Sequence, residues 1–164
     1  MLFWKKKEQK NAEGLAWFSY AVMLPNKDEE EKEITIIGNF IIKNTSGIVL
    51  NNPIICIRTT PPQNVHLGGK IGSVSHAALM IDGTNTEAWH YLFDNWKQRS
   101  LETGEHVLKP NNCKYIDTDG NLIFSNEIRI STTSEHSFAL IEGFFYCDEI
   151  KNGIPSLNNI TINF

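Results

Sequence analysis

Apolar and polar residues alternate along several segments of the chain, and this alternation predicts β-strands. In residues 122–130 the predicted inner face, interrupted only by Asn126, carries four apolar residues: Leu122, Phe124, Ile128 and Ile130. Residues 138–147 are apolar on both sides, which is typical of a central strand. Together with segments such as 15–24, 34–43 and 160–164, the pattern predicts about eight or nine short strands. The predicted fold is a mainly β, antiparallel β-sandwich of immunoglobulin-like or jelly-roll-like type.

Apolar and polar residues alternate in residues 34–43, the turn-forming residues 44–47 follow, and residues 48–59 form a second apolar run. This arrangement predicts a β-hairpin. Pro53 lies within the second arm and lacks a backbone N–H, so that arm is expected at a sheet edge or at a bulge. Residues 63–75, which contain Gly68, Gly69 and Gly72, are predicted to form a loop with a short strand around Lys70 and Ile71.

Residues 84–99 depart from the β pattern. Their apolar positions recur at the spacing of one helical face: Trp89, Leu92, Phe93 and Trp96. Thr84 and Glu87 match a capping box at the start of this segment. The pattern predicts one short amphipathic helix inserted between strands. An irregular aromatic segment is the alternative, because most of these residue types are mediocre helix formers.

Length and composition indicate one folded domain. The chain has 164 residues, of which 41% are hydrophobic and 21% charged, as in ordinary globular proteins. Residues 1–14 are predicted to be a flexible basic segment with four lysines: Lys5, Lys6, Lys7 and Lys10. Residues 15–164 are predicted to form the single sandwich domain, with the helical insertion near 84–99.

Charge and cysteine content restrict the expected partners and location. A net charge of −4 gives no electrostatic reason to bind nucleic acid. The longest apolar stretch, residues 14–25, is far short of the roughly 20 residues that a membrane-spanning helix needs. The three cysteines form no CxxC pair and are odd in number, which argues against a secreted, disulfide-bonded protein. In a signal peptide the apolar run follows the basic residues, whereas the apolar residues 1–4 precede the lysines. We therefore expect a cytoplasmic protein with neither a nucleic-acid nor a membrane partner.

Residues 40–55 (FIIKNTSGIVLNNPII) resemble a pattern found in bacterial immunoglobulin-like domains, in which a strand ends in Asn-Thr-Gly-like residues and the next begins with an apolar-Asn-Pro-apolar run. Residues 101–105 (LETGE) resemble the Gly-Glu turn that opens a strand in the same kind of module. The resemblance covers about a tenth of the chain and implies an immunoglobulin-like β-sandwich. It implies a fold far more than a function.

Motifs for catalysis are absent from the sequence. It contains no G-x-S-x-G and no HExxH pattern, and no cofactor is predicted. One weak set remains, in which His66, His76 and Asp82 would form a two-histidine, one-carboxylate metal site in an enzyme. The sequence favours a protein without catalytic activity.

The aromatic residues of the 84–99 segment have two interpretations. Trp89, Leu92, Phe93 and Trp96 would pack a helix onto a sheet as core. If instead the segment is irregular and exposed, the residues that would bind a ligand are Trp89, Tyr91, Phe93 and Trp96, because aromatic rings stack on sugars and anchor protein partners.

Three functions remain open. The first is a non-enzymatic, intracellular protein-interaction module with a protein partner and possible self-association. The second is a small-molecule or carbohydrate-binding sandwich that uses residues 89–96, and the third is the metal-dependent enzyme. The abundance of Asn, Ile and Lys indicates an AT-rich genome, and so a bacterium or a phage.

Overall fold

The computed structural model describes residues 11–30, 32–72, 87–132 and 135–164. Among these residues the chain forms twelve strands and one helix, in this order: β1 (Gly14–Met23), β2 (Glu33–Asn44), β3 (Leu50–Asn51), β4 (Ile54–Thr60), β5 (Val65–Gly69), β6 (Trp89–Tyr91), α1 (Trp96–Thr103), β7 (Glu105–Pro110), β8 (Tyr115–Ile116), β9 (Asn121–Ser131), β10 (Phe138–Cys147), β11 (Ile150–Pro155) and β12 (Ile160–Asn163). The strand number exceeds the predicted eight or nine mainly because β3, β6 and β8 are only two or three residues long.

The strands form two main antiparallel sheets, which confirms the predicted β-sandwich. The first sheet has the order β1-β2-β9-β5. The second has the order β11-β10-β4-β7-β6, with β12 also paired to β10, and β3 and β8 form a small separate sheet. None of the described residues lies in a helix that is both long and apolar enough to cross a membrane.

Side chains from both sheets share one core. In β9 the inward residues Leu122, Phe124, Ile128 and Ile130 are all buried, as the alternation predicts. Trp89 of the second sheet meets Phe124 of the first edge-to-face, with ring centroids 5.5 Å apart. Alternation therefore predicted the buried face of β9 correctly, because burial in a strand follows from its two-residue period. In β1 the predicted face of Phe18, Tyr20, Val22 and Leu24 is buried only at Phe18.

The predicted hairpin is wrong. β2 pairs with β1 and β9, whereas β4 pairs with β10 and β7, so the two arms lie in different sheets. The chain crosses between sheets at Asn44, whose buried side chain bonds to the turn and to the residues around β8. Pro53 is buried just before β4, a central strand, and not at an edge.

The position predicted for the helix also differs from the structure. Helix α1 covers Trp96–Thr103, while Trp89–Tyr91 is strand β6. Strand β6 pairs with β7, and the backbone of Trp89 also bonds to residues 70 and 72. These long-range bonds outweigh a local helical spacing. Thr84 of the predicted capping box lies outside the described residues.

Candidate ligand-binding pocket

A pocket of about 570 Å³ opens between the end of β5 and the segment that joins β6 to α1. This volume is in the range that accommodates a small ligand or several side chains. One wall is formed by the glycine-rich chain of residues 67–72. The opposite wall is formed by His90, Tyr91, Phe93, Asp94 and Trp96.

The glycine wall exists because the chain leaves the first sheet and joins the second at this point. Ile71 forms a parallel bridge with Trp89, the N–H of Trp89 donates to the Lys70 carbonyl at 2.8 Å, and the N–H of Gly72 donates to the Trp89 carbonyl at 2.9 Å. Gly69 has φ +139°, and a side chain there would collide with the carbonyl of Ser125. Only glycine fits this crossing, which leaves backbone exposed along the wall.

The aromatic wall is held in place by ring contacts. Tyr91 and Trp96 stack face to face, with centroids 4.0 Å apart and planes 5° from parallel. The guanidinium of Arg99 lies 4.5 Å from the centre of the Phe93 ring. One face of each ring is therefore already covered, and the wall is fixed before any ligand enters.

The buried side chain of His106 orients the Tyr91 ring through a hydrogen bond. The Tyr91 hydroxyl and His106 Nδ1 share a hydrogen bond of 2.8 Å. Burial lowers the pKa of His106 to about 4, with a smaller contribution from His66, and burial raises the pKa of Tyr91 to about 12. Both groups are therefore uncharged at neutral pH. His106 Nε2 is buried and has no hydrogen-bond partner among the described residues.

The lowered pKa of His106 predicts a pH-dependent stability. Below about pH 6.5 the unfolded chain binds a proton that the folded chain accepts only near pH 4. The free energy of unfolding attributable to this group should be highest above pH 6.5 and fall by about 2–3 kcal/mol as the pH drops to 4. Urea denaturation of wild type and of His106→Phe over this range measures the effect. The variant should lose that part of the slope, and parallel curves for the two proteins would contradict the assignment.

Backbone groups of β5 are unpaired beside the pocket. Strand β5 bonds to β9 through its even-numbered residues, as the bond from Ser131 N–H to the Asn64 carbonyl and that from Lys70 N–H to the Ser125 carbonyl show. In an antiparallel ladder the odd-numbered residues then face away. The N–H and C=O of Leu67 point to the open edge and have no partner among the described residues.

Three of the four sequence-predicted ligand residues meet in this pocket. Tyr91 and Trp96 are half-buried and Phe93 is 38% exposed, and all three line it. Trp89 is fully buried in the core and does not line the pocket. The sequence did not place His106 or Asp94 with these aromatic residues, although it predicted that the glycines of the opposite wall form a loop.

The structure does not test the predicted metal set as a whole. His66 is exposed on β5, while His76 and Asp82 lie outside the described residues. Within the described ranges, no group of three or more His, Cys, Asp or Glu side chains is placed to hold a metal ion.

Comparison with known proteins assigns no family to the chain. No protein-family model matches it, and no curated protein does. Among solved structures it is similar to a FixG-related protein from Vibrio parahaemolyticus, with 9% sequence identity, 89% of this chain and 94% of that chain covered, and a TM-score of 0.33. The class that the described chain itself defines is an antiparallel β-sandwich with an aromatic pocket at one edge.

Proposed function

We propose that this protein is a non-enzymatic protein-interaction module that binds an extended segment of a partner protein along the free edge of β5. One side chain of that segment would enter the aromatic pocket. The observation that carries the proposal is the juxtaposition of unpaired Leu67 backbone groups with the pocket wall of Tyr91, Phe93 and Trp96.

Strand addition is a common mode of peptide recognition, in which main-chain bonds supply affinity and pockets for alternate side chains supply specificity. The edge of β5 offers one donor and one acceptor at Leu67. Gly68 and Gly69 follow without side chains that would block an approaching strand. A peptide paired here would direct a side chain toward Tyr91 and Trp96.

The pocket walls favour an apolar or aromatic side chain. The apolar part of the lining consists of the rings of Tyr91, Phe93 and Trp96 with Leu67 and Ile71, and the polar part consists of His90, Asp94 and the backbone of the glycines. His90 Nδ1 is already within 2.6 Å of the Asn111 side-chain oxygen. A carbohydrate or another small molecule is the alternative occupant, since aromatic rings line the pocket.

The proposal also includes an immunoglobulin-like type of sandwich, a cytoplasmic location, and a bacterial or phage origin. Crossing of the chain between sheets within residues 40–55 supports the first, because such connections occur in immunoglobulin-like folds. The three cysteines are all free, which supports a reducing compartment.

The test compares Leu67→Pro with Leu67→Ala. Both variants lose the leucine side chain, but only proline also removes the outward N–H, and that N–H is not part of the β5–β9 ladder. Each tagged protein is recovered from its native cell, and bound proteins are identified by mass spectrometry. The partner segment is then mapped by hydrogen exchange and titrated as a synthetic peptide.

We expect the peptide to bind wild type and Leu67→Ala, and to bind Leu67→Pro at least about tenfold more weakly. Trp96→Ala should weaken binding by about 2 kcal/mol or more, as for other buried aromatic anchors. Equal binding by the alanine and proline variants would contradict strand addition. A change in tryptophan fluorescence with a glycan panel, in the absence of any bound peptide, would favour the small-molecule alternative.

A further inference from the structure

The aromatic pocket contains a polar atom, Nε2 of His90, whose hydrogen-bonding character is fixed by its neighbours. The Asn111 amide nitrogen donates to the Gly72 carbonyl at 3.3 Å, so the Asn111 side-chain oxygen is the atom that lies 2.6 Å from His90 Nδ1. An amide oxygen can only accept, and His90 Nδ1 must therefore carry a proton. In the neutral ring, Nε2 then has a lone pair and accepts a hydrogen bond.

This acceptor is left for a ligand. His90 is half-buried and lines the pocket, and its Nε2 has no hydrogen-bond partner among the described residues. Rotation of the ring would break the bond between Nδ1 and Asn111, so the position of Nε2 is set before a ligand arrives. A fixed acceptor without a partner favours a ligand that brings a donor.

Two further polar side chains of the lining narrow the choice of ligand. The Asp94 carboxylate is exposed and only accepts hydrogen bonds, whereas the indole N–H of Trp96 only donates them. A hydroxyl group does both, so it matches the acceptor on His90 as well as a donor in the same wall. A carboxylate has no donor, and it would be repelled by Asp94.

Cations that already lie on the aromatic wall disfavour a positively charged ligand. The guanidinium of Arg99 is 4.5 Å from the centre of the Phe93 ring, and the ammonium of Lys97 is 5.5 Å from that of the Trp96 ring. A lysine or arginine from a partner would compete with these groups for the same rings and would be repelled by their charge. A neutral side chain meets neither obstacle.

We propose that the side chain that enters this pocket is a tyrosine of the partner segment, and that its hydroxyl donates to His90 Nε2. The inference rests on the proposed function, because it names the residue that a peptide paired with β5 would place in the pocket. The tyrosine ring packs against the apolar part of the lining, which includes Leu67 and Ile71. Phenylalanine would fill the same space but would leave Nε2 without a donor.

The side-chain analogues p-cresol and toluene test the proposal, because they differ only in the hydroxyl group. Each is titrated into the full chain at about pH 8, where an ordinary histidine is neutral, and the amide signals of Gly68, Gly69 and Gly72 are followed by NMR. We expect p-cresol to bind with a dissociation constant on the order of 1 mM, and toluene to bind about tenfold more weakly.

A matched pair of variants assigns the preference to one histidine. His90→Phe, with an unchanged circular dichroism spectrum, should bind the two probes equally. His66→Phe is the control, because the His66 side chain is exposed on β5 and does not line the pocket. It should keep the wild-type preference for p-cresol. Nitrogen-15 NMR of the imidazole rings checks the tautomer in wild type, where His90 Nε2 should be unprotonated at about pH 8.

Equal binding of the two probes by wild type, no binding of p-cresol at concentrations of roughly 10 mM, or a protonated Nε2 overturns the proposal. So does a preference that survives in His90→Phe. These outcomes are separate from those that test strand addition, because neither probe has a peptide backbone. Leu67→Pro should therefore bind p-cresol as wild type does, even where it no longer binds the partner peptide.

Discussion

Replacement of Trp89 by alanine is expected to lower the free energy of unfolding by about 3–5 kcal/mol. The side chain is fully buried between the two sheets, where its ring meets Phe124 at 67° and its Nε1–H donates to the Ile123 carbonyl at 3.1 Å. Truncation would leave a cavity and an unpaired carbonyl at the same place. Because small domains are stabilised by only about 5–15 kcal/mol, the variant should be close to unfolding at 37 °C.

Urea denaturation at pH 7 measures this loss, with Trp96→Ala as the matched control. Trp96 is only half-buried and lines the pocket, so its truncation should cost far less stability while it weakens ligand binding. The two tryptophans thereby separate folding from binding. If Trp89→Ala keeps nearly wild-type stability, the interpretation of Trp89 as a core residue is wrong, and its predicted role in ligand binding regains support.

Residues 84–99 show why a helix predicted from local spacing differs from the structure. Trp89, Leu92, Phe93 and Trp96 satisfy a helical spacing, yet only Trp89 enters the core, while Leu92 and Phe93 are 39% and 38% exposed. The spacing is a local property, whereas β6 is fixed by bonds to residues 70–72 that are distant in sequence. Alternation in β9 predicted its buried face correctly because no distant partner is needed to define a face.

The alternation of apolar and polar residues could not predict which strands pair with each other. Strands β2 and β4 are consecutive long strands joined through a turn, yet they lie in different sheets. Either pairing buries the same apolar residues, so alternation cannot choose between a hairpin and a crossing.

For the candidate site, the aromatic residues could be predicted from their types, but the glycine wall became part of it only through the crossing at Ile71.

The second large effect is expected for Asn44→Asp. Asn44 is fully buried at the end of β2. Its amide nitrogen donates to the carbonyls of Ile48, Ile116 and Asp117 at 2.7, 3.0 and 3.2 Å. Its oxygen accepts from the N–H and the hydroxyl of Ser46 at 2.9 and 2.6 Å. This one side chain therefore connects the crossing between the sheets with the residues of β8.

Aspartate has nearly the same shape, so the substitution removes the donor without opening a cavity. An ionised carboxylate would face three carbonyl oxygens in a buried site, and we expect a loss of about 3 kcal/mol or more at pH 7. Ser46→Ala, which removes only the hydroxyl that bonds Asn44 and Ile48, should cost about 1 kcal/mol. Thermal and urea denaturation measure both variants. Equal stability of the two would show that the Asn44 amide does not hold the crossing, because the aspartate retains every contact except those made by the donor.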